Sequence, residues 1–304
     1  MCKIKKGTYM KTKQVTLVFL VIFLLLLIPS WLFAGAWTQE KGCIYQKLSY
    51  SYYFTDKNFG KGGGYDEAAK KKGIRFEFMS RDITWYGEIG AMDNLTFIWS
   101  VSQKNMAWAK KRRSDDKKLL SSTHSCLGDL DLAVKYSFSN GPTALSAQFL
   151  FKSELFYDND ETIMPGNNQS DYELRLLAGR SLWPWGYVNV EAGYRWRTQA
   201  PADEFRYLVE YGLDWKKFYT FVKLNGIMSA HNGDQPSSKQ LTGTYKGNPS
   251  LGIEYDLGTL DFTVGRKLLY GFALEGYYRS DLYGENIADG YTLGLSLVHH
   301  WDWW

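Results

Sequence analysis

Along most of the chain, apolar and polar residues alternate one by one in short runs. Leu130, Leu132, Val134, Tyr136 and Phe138 share one parity, with Asp129, Asp131, Lys135 and Ser137 on the other. Val188, Val190, Ala192, Tyr194 and Trp196 interleave with Asn189, Glu191, Gly193, Arg195 and Arg197. Phe205, Tyr207, Val209, Tyr211, Leu213 and Trp215 do the same against Arg206, Glu210, Gly212 and Asp214. Successive side chains of a strand point to opposite faces, so a period of two predicts strands with one greasy and one polar face. We count twelve such segments: 43–55, 74–90, 95–103, 126–138, 143–156, 171–182, 187–198, 204–215, 218–230, 246–257, 259–268 and 289–304. In the second, Phe76 and Phe78 are out of phase with Ile83, Trp85 and Ile89; a bulge near Met79–Asp82 would restore the register.

The connections carry independent information. Long polar stretches at 56–73, 104–125, 157–170, 199–203, 231–245 and 269–288 alternate with tight turns at Met92–Asn94, Ser139–Pro142, Pro184–Gly186, Lys216–Lys217 and Gly258. Loops segregated by length to two ends are a property of transmembrane barrels, long outside and short in the periplasm. The expected fold is therefore all-β, an antiparallel up-and-down transmembrane β-barrel of about twelve strands. Ten or fourteen are the alternatives, because 266–290 divides ambiguously; Leu268–Tyr278 reads as a further strand or as a lid. An even count puts both termini in the periplasm. The row Tyr291, Leu293, Leu295, Leu297, His299, Trp301 and Trp303 ends the chain as an outward, aromatic last strand of the kind barrel-assembly machinery reads. Trp304 is out of phase with it.

The first residues are of another kind. Residues 1–14 are basic, Val15–Ile28 is apolar apart from Thr16, and Pro29 and Ser30 follow. Ala34 and Ala36 then supply the small residues of a peptidase site, so 1–36 is the expected secretory signal and 37–304 the barrel domain, with cleavage after Ala34 as the alternative. An uncleaved anchor is the competing reading, since Val15–Phe33 could span a bilayer. The segment also explains the charge. Five of the 36 basic residues (Lys3, Lys5, Lys6, Lys11 and Lys13) lie in it with no acid, which leaves 31 basic against 32 acidic residues. A nucleic-acid partner loses its support. Mean hydropathy is −0.34. Beyond Phe33 no apolar stretch is long enough for a helical span.

Some segments resemble a known family. GAWTQEKG over 35–42 and KLSYSYY over 47–53 resemble the mature start of XagA-like proteins, which are similar to the meta-pathway phenol-degradation-like outer-membrane proteins. YGEIGAMDNLT over 86–96, LGDLDLAVKY over 127–136 and YTLGLS over 291–296 match further recurrent segments. Where the family has SGLGD, this chain has SCLGD over 125–129. The resemblance implies an outer-membrane barrel that conducts small or hydrophobic compounds or is associated with exported polysaccharide, and it carries over no catalytic residue.

The inner rows hold charges of both signs: Lys47, Glu88, Asp129, Asp131, Lys135, Lys152, Glu154, Glu173, Arg175, Glu191, Arg195, Arg197, Arg206, Glu210, Asp214, Lys223 and Glu254. Buried charges must be hydrated or paired. A water-filled pore and a closed barrel with a salt-bridge ladder both satisfy this, and both remain open from sequence. Lys110, Lys111, Arg112, Arg113, Lys117 and Lys118 form a basic patch, expected on an extracellular loop, either solvated or turned to lipopolysaccharide phosphates or an anionic polysaccharide. Tyr52, Tyr53, Phe54, Trp85, Trp99, Trp183, Trp185, Trp196, Trp215, Trp301 and Trp303 fit interfacial girdles. The expected partners are outer-membrane lipid and lipopolysaccharide, assembly machinery, and an unidentified small solute.

Enzyme chemistry finds little. The histidines are His124, His231, His299 and His300. Ser296 and His300 share a face but stand about 13 Å apart along a strand, against the roughly 3 Å that a nucleophile and its base need. No spacing suggests a metal or cofactor. Cys43 and Cys126 are expected at opposite rims, about 25 Å apart, and so as two thiols. The leading expectation is passive passage of a small molecule; the second is a polysaccharide-binding barrel using loops 104–125 and 269–288.

Overall fold

The computed structural model describes residues 35–63, 73–157, 163–167, 169–199, 201–233 and 254–302. The alternating stretches form twelve strands. In chain order they are β1 (Cys43–Phe59), β2 (Ile74–Met92), β3 (Leu95–Arg112), β4 (Lys118–Asn140), β5 (Thr143–Ser153) and β6 (Asp171–Ser181). Then come β7 (Tyr187–Arg197), β8 (Glu204–Trp215), β9 (Phe218–Ser229), β10 (Asp256–Lys267), β11 (Phe272–Glu285) and β12 (Ile287–Asp302). Each pairs antiparallel with its neighbours in sequence, and β12 returns to β1, so the barrel is closed. Closure leaves no edge, as a backbone crossing hydrocarbon requires. Among the described residues no helix is long and apolar enough to cross a membrane.

The two faces are inverted relative to a water-soluble protein. Leu295 is 60% exposed and Leu176 61%, while Glu173 and Asp171 are wholly buried. The greasy parity therefore faces out and the ionic parity faces the axis. Trp183, Trp185, Trp215 and Trp301 stand exposed at the end that holds Cys43 and Asp302, here the terminal rim. The other end is the loop rim.

Several expectations are corrected. The strand number is twelve, but the tenth and eleventh strands lie elsewhere. Gly258 is not a turn: it sits inside β10, against the Tyr283 ring, where a Cβ would come within 2.0 Å of Cε1. Of the expected strand 246–257, residues 246–253 lie outside the described residues, and β10 begins at Asp256. The stretch 269–288 is neither loop nor lid. It is mostly β11, paired with β10 and β12 and turning from β10 over 268–271. Likewise 104–125 is no loop, because β3 and β4 stay paired out to Lys111 and Lys118, leaving a tip at 113–117. Of the two loops expected to bind polysaccharide, 269–288 becomes a strand and 104–125 a paired hairpin whose tip stands at the loop rim.

The bulge near Met79–Asp82 is also absent: β2 keeps one unbroken register with β1 and β3 through these residues. Phe76 and Phe78 stay on the inner parity, with Phe78 against inward Tyr53 at 6.1 Å between ring centres. The outer parity becomes ionic there instead, with Arg75, Glu77 and Arg81, which marks where the strand leaves the hydrocarbon. A bulge does occur in β4, where Gly128 and Asp129 together face Ser102 between the Val101–Leu130 and Gln103–Leu127 pairs. Cys126 lies opposite Lys104, which is opposite Asp82, which is opposite Ser51 in β1. That is eight residues along from Cys43, about 27 Å of strand, and the two cysteines form no disulfide with each other.

Candidate functional site: an ionic lumen entered by its own chain

The site grows from the inner parity of each strand. On β6–β8 the wall is a continuous ion network. Glu173 accepts from Arg175 Nε at 2.7 Å and Arg195 Nε at 2.8 Å, with Arg206 Nε at 3.7 Å. Arg175 reaches on to Glu191 at 2.6 Å. Arg197 pairs with Glu204, and the Tyr255 hydroxyl donates to the same carboxylate at 2.6 Å. Lys152 bridges Asp129 at 3.1 Å and Asp171 at 3.0 Å. Asp131 stands opposite Lys152 across the β4–β5 pair. Lower on this wall, Lys223 meets Glu210 at 2.5 Å, and Tyr187 donates to that glutamate.

The opposite wall repeats the motif with fewer members. Lys47 meets Glu275 at 2.5 Å, Arg279 holds Asp261 through two hydrogen bonds of 2.6 and 2.7 Å, and Lys267 takes both oxygens of Asp214. Burying an ion costs several kcal/mol unless a partner and hydrogen bonds replace its water. Cross-strand pairing meets that cost here.

Sequence reasoning missed Asp171, Glu204, Asp261, Lys267, Glu275 and Arg279. The last two follow from misreading the β10–β11 hairpin; the alternation of Ala273, Glu275 and Tyr277 with Leu274, Gly276 and Tyr278 carried the signal. Two of the residues singled out lie outside the strands. Glu154 follows β5 and accepts from the Ser170 hydroxyl. Glu254 is no lumen residue: it lies before β10 and faces His231 Nδ1 at 3.1 Å. The hydrogen bond between the His231 ring and the Glu254 carboxylate raises the His231 pKa above its usual value, against a smaller opposing effect of desolvation.

Two pieces of non-strand chain enter this ionic tube. From the terminal rim, residues 35–41 run along the inner side of the barrel from β1 to β7, here the floor segment. Gln39 N donates to Thr96 Oγ1 at 2.8 Å, and its side-chain amide to Glu88 at 3.0 Å. Thr38 N donates to Asn140 at 3.1 Å, and its hydroxyl to the Asp93 carbonyl at 2.7 Å. Trp37 is buried, with its indole N–H on the Gly141 carbonyl at 3.0 Å and its ring edge-on to Tyr187 at 6.0 Å. Ala36 N donates to Asn189, and Lys135 Nζ to the Gly35 carbonyl. Lys135 also lies 3.5 Å from Glu88, so the floor and the wall share one network. Toward the loop rim, residues 163–167 turn inward with Ile163 and Met164 buried. Lys104 Nζ donates to the Pro165 carbonyl at 2.5 Å, and Tyr157 to Asp129.

The basic patch sits at the tip of the β3–β4 hairpin and is partly compensated. Lys111 pairs with Glu77 at 2.7 Å, Arg112 with Asp115 at 3.4 Å, and Arg113 donates to the Ile74 carbonyl. Lys110 lies over the Phe76 ring, and Lys117 and Lys118 are exposed. The Ser296 hydroxyl bonds that of Ser49 at 2.9 Å. Among the described residues no group of His, Cys, Asp and Glu side chains is placed to hold a metal.

No family model matches the chain, and neither does any curated protein. Among solved structures it is similar to an outer membrane channel from Pseudomonas putida F1, with a TM-score of 0.66 and 14% identity over 88% of this chain and 98% of that one. The translocator domain of the autotransporter NalP from Neisseria meningitidis is more distant, with a TM-score of 0.48 and 11% identity over 86% of this chain and 89% of that one. The fold this defines is the closed, twelve-stranded antiparallel β-barrel, shared with that outer-membrane channel.

Proposed function

We propose that the protein is an outer-membrane channel whose resting state is closed at its floor by residues 35–41, and that it passes a small molecule when this segment leaves. The observation that carries the reading is how the segment is held. It is held inside the barrel by hydrogen bonds from its backbone, one side-chain amide, one hydroxyl and one indole, with no disulfide and no ion pair among the described contacts. Such bonds are worth about 0.5–1.5 kcal/mol each net, because water replaces them when they break. Each of these groups can be satisfied by water once the segment leaves, whereas removing one partner of a wall ion pair leaves a charge behind.

The termini face the periplasm in this reading, since the wider connections, such as 154–170 and 230–255, gather at the opposite rim. Acids and bases interleave on the walls, which favours a polar or amphipathic solute over selection by one sign of charge. The resemblance carried by 35–42, 86–96 and 127–136 points the same way and extends it to small hydrophobic compounds.

Single-channel recording in a planar bilayer tests this. The intact barrel is expected to be silent or nearly so, and the barrel lacking 35–41 to conduct in discrete steps. A deleted form that stays silent would mean a permanently closed, structural barrel.

A further inference from the structure

We propose that the signal peptide is removed between Ala34 and Gly35, so that Gly35 and Ala36 belong to the mature protein and form the head of the floor segment. The sequence offers two cuts, after Ala34 and after Ala36, and the second has the smaller residue at the third position before the bond (Ala34 against Leu32). The folded barrel argues for the first.

Ala36 is wholly buried. Its N–H donates to Asn189 Oδ1 at 3.1 Å, and its carbonyl accepts from the Ser146 hydroxyl. The Gly35 carbonyl accepts from Lys135 Nζ at 3.0 Å. Gly35 itself has φ +75°, and a Cβ there would lie 2.2 Å from Asn189 Nδ2, so both the backbone and the space call for glycine. A leader residue that is cut away has no need to fit a lumen.

The alternative cut has a physical cost as well. It removes the partners of Lys135, Ser146 and Asn189 in one step.

The inference shares with the closure reading only the seat of 35–39 in the lumen. Its readout is a mass, so a failure of gating and a failure of processing are told apart. The test is intact-mass measurement and amino-terminal sequencing of the protein extracted from outer membranes. A chain starting at Gly35 is expected. A chain starting at Trp37, lighter by one glycine and one alanine, would overturn the inference, and so would a chain that keeps 1–34. Gly35→Val provides a second arm. If Gly35 is retained, the mature mass rises by the valine increment and the floor segment is dislodged, seen as raised conductance. A mature mass identical to wild type would overturn the inference, because the substituted residue would have left with the leader.

Discussion

The floor of the lumen and its β6–β8 wall are filled in opposite ways. At the floor, uncharged groups of an entering segment meet the barrel through single hydrogen bonds, as in Gln39 on Thr96 and Thr38 on Asn140. On the wall, Glu173 alone gathers Arg175, Arg195 and Arg206, and each of the first two holds a further carboxylate. Groups that water can satisfy are free to exchange, while a coupled ion network is fixed in place. One region is suited to move and the other to hold the cylinder's shape.

That contrast can be broken in graded ways. The largest effect expected is from deleting 35–41: conductance should rise many-fold in a planar bilayer while the heat-modifiable band shift of a folded barrel persists. Next, Glu173→Ala takes the shared carboxylate from Arg175, Arg195 and Arg206, which keep Glu191, Asp171 and Glu204 as their remaining partners, and removing one partner of a buried pair costs up to about 3–5 kcal/mol. The midpoint of urea unfolding in detergent or liposomes should fall accordingly, with little change in channel opening. Asn189→Ala removes the acceptor for Ala36 N. Leaving a buried donor unsatisfied costs about 1–3 kcal/mol, which should appear as more frequent opening at nearly unchanged unfolding. If the wall variant gated and the floor variant unfolded the barrel, the assignment of roles would be reversed.

The smallest effect concerns the loop rim. His231 has its pKa raised in the folded state by Glu254. A raised folded pKa means that the pair's stabilisation is full below the unfolded value, about 6.5, and fades as pH rises through the folded value. His231→Ala should flatten this slight alkaline loss in a pH series of unfolding midpoints, and it should leave conductance alone.

Much of the barrel was legible in the sequence because one rule, alternation, governs every strand. Leu130 to Phe138 and Val188 to Trp196 can lie in only one phase between lipid and ions. The rule failed where a residue had a second use. Gly258 reads as a turn but serves as the flat ground for the Tyr283 ring; that error displaced β10 and left β11, with Glu275 and Arg279, as only one of two readings of Leu268–Tyr278. Phe76 and Phe78 read as a register slip, although the register holds and it is the surroundings that change. The lumen charges of β6–β8 were legible as a set. Their pairing was not, because it depends on register between strands that lie side by side only in the fold, such as Arg197 with Glu204. The floor segment was least legible of all. Residues 35–42 have no period, and a tryptophan ahead of the first strand was the one hint that this stretch is buried.

A reversible tether tests the central claim most directly, in a background with Cys43 and Cys126 replaced by serine. The Thr38 hydroxyl and the Asn140 amide both donate to the Asp93 carbonyl, at 2.7 and 3.2 Å, so the two side chains converge and Thr38→Cys with Asn140→Cys should form a disulfide that pins the floor segment in its seat. The account predicts that the oxidised barrel stays shut in a planar bilayer and that adding a reductant opens the same molecules to discrete conductance steps. Equal conductance before and after reduction, with the tether verified by mass, would contradict it.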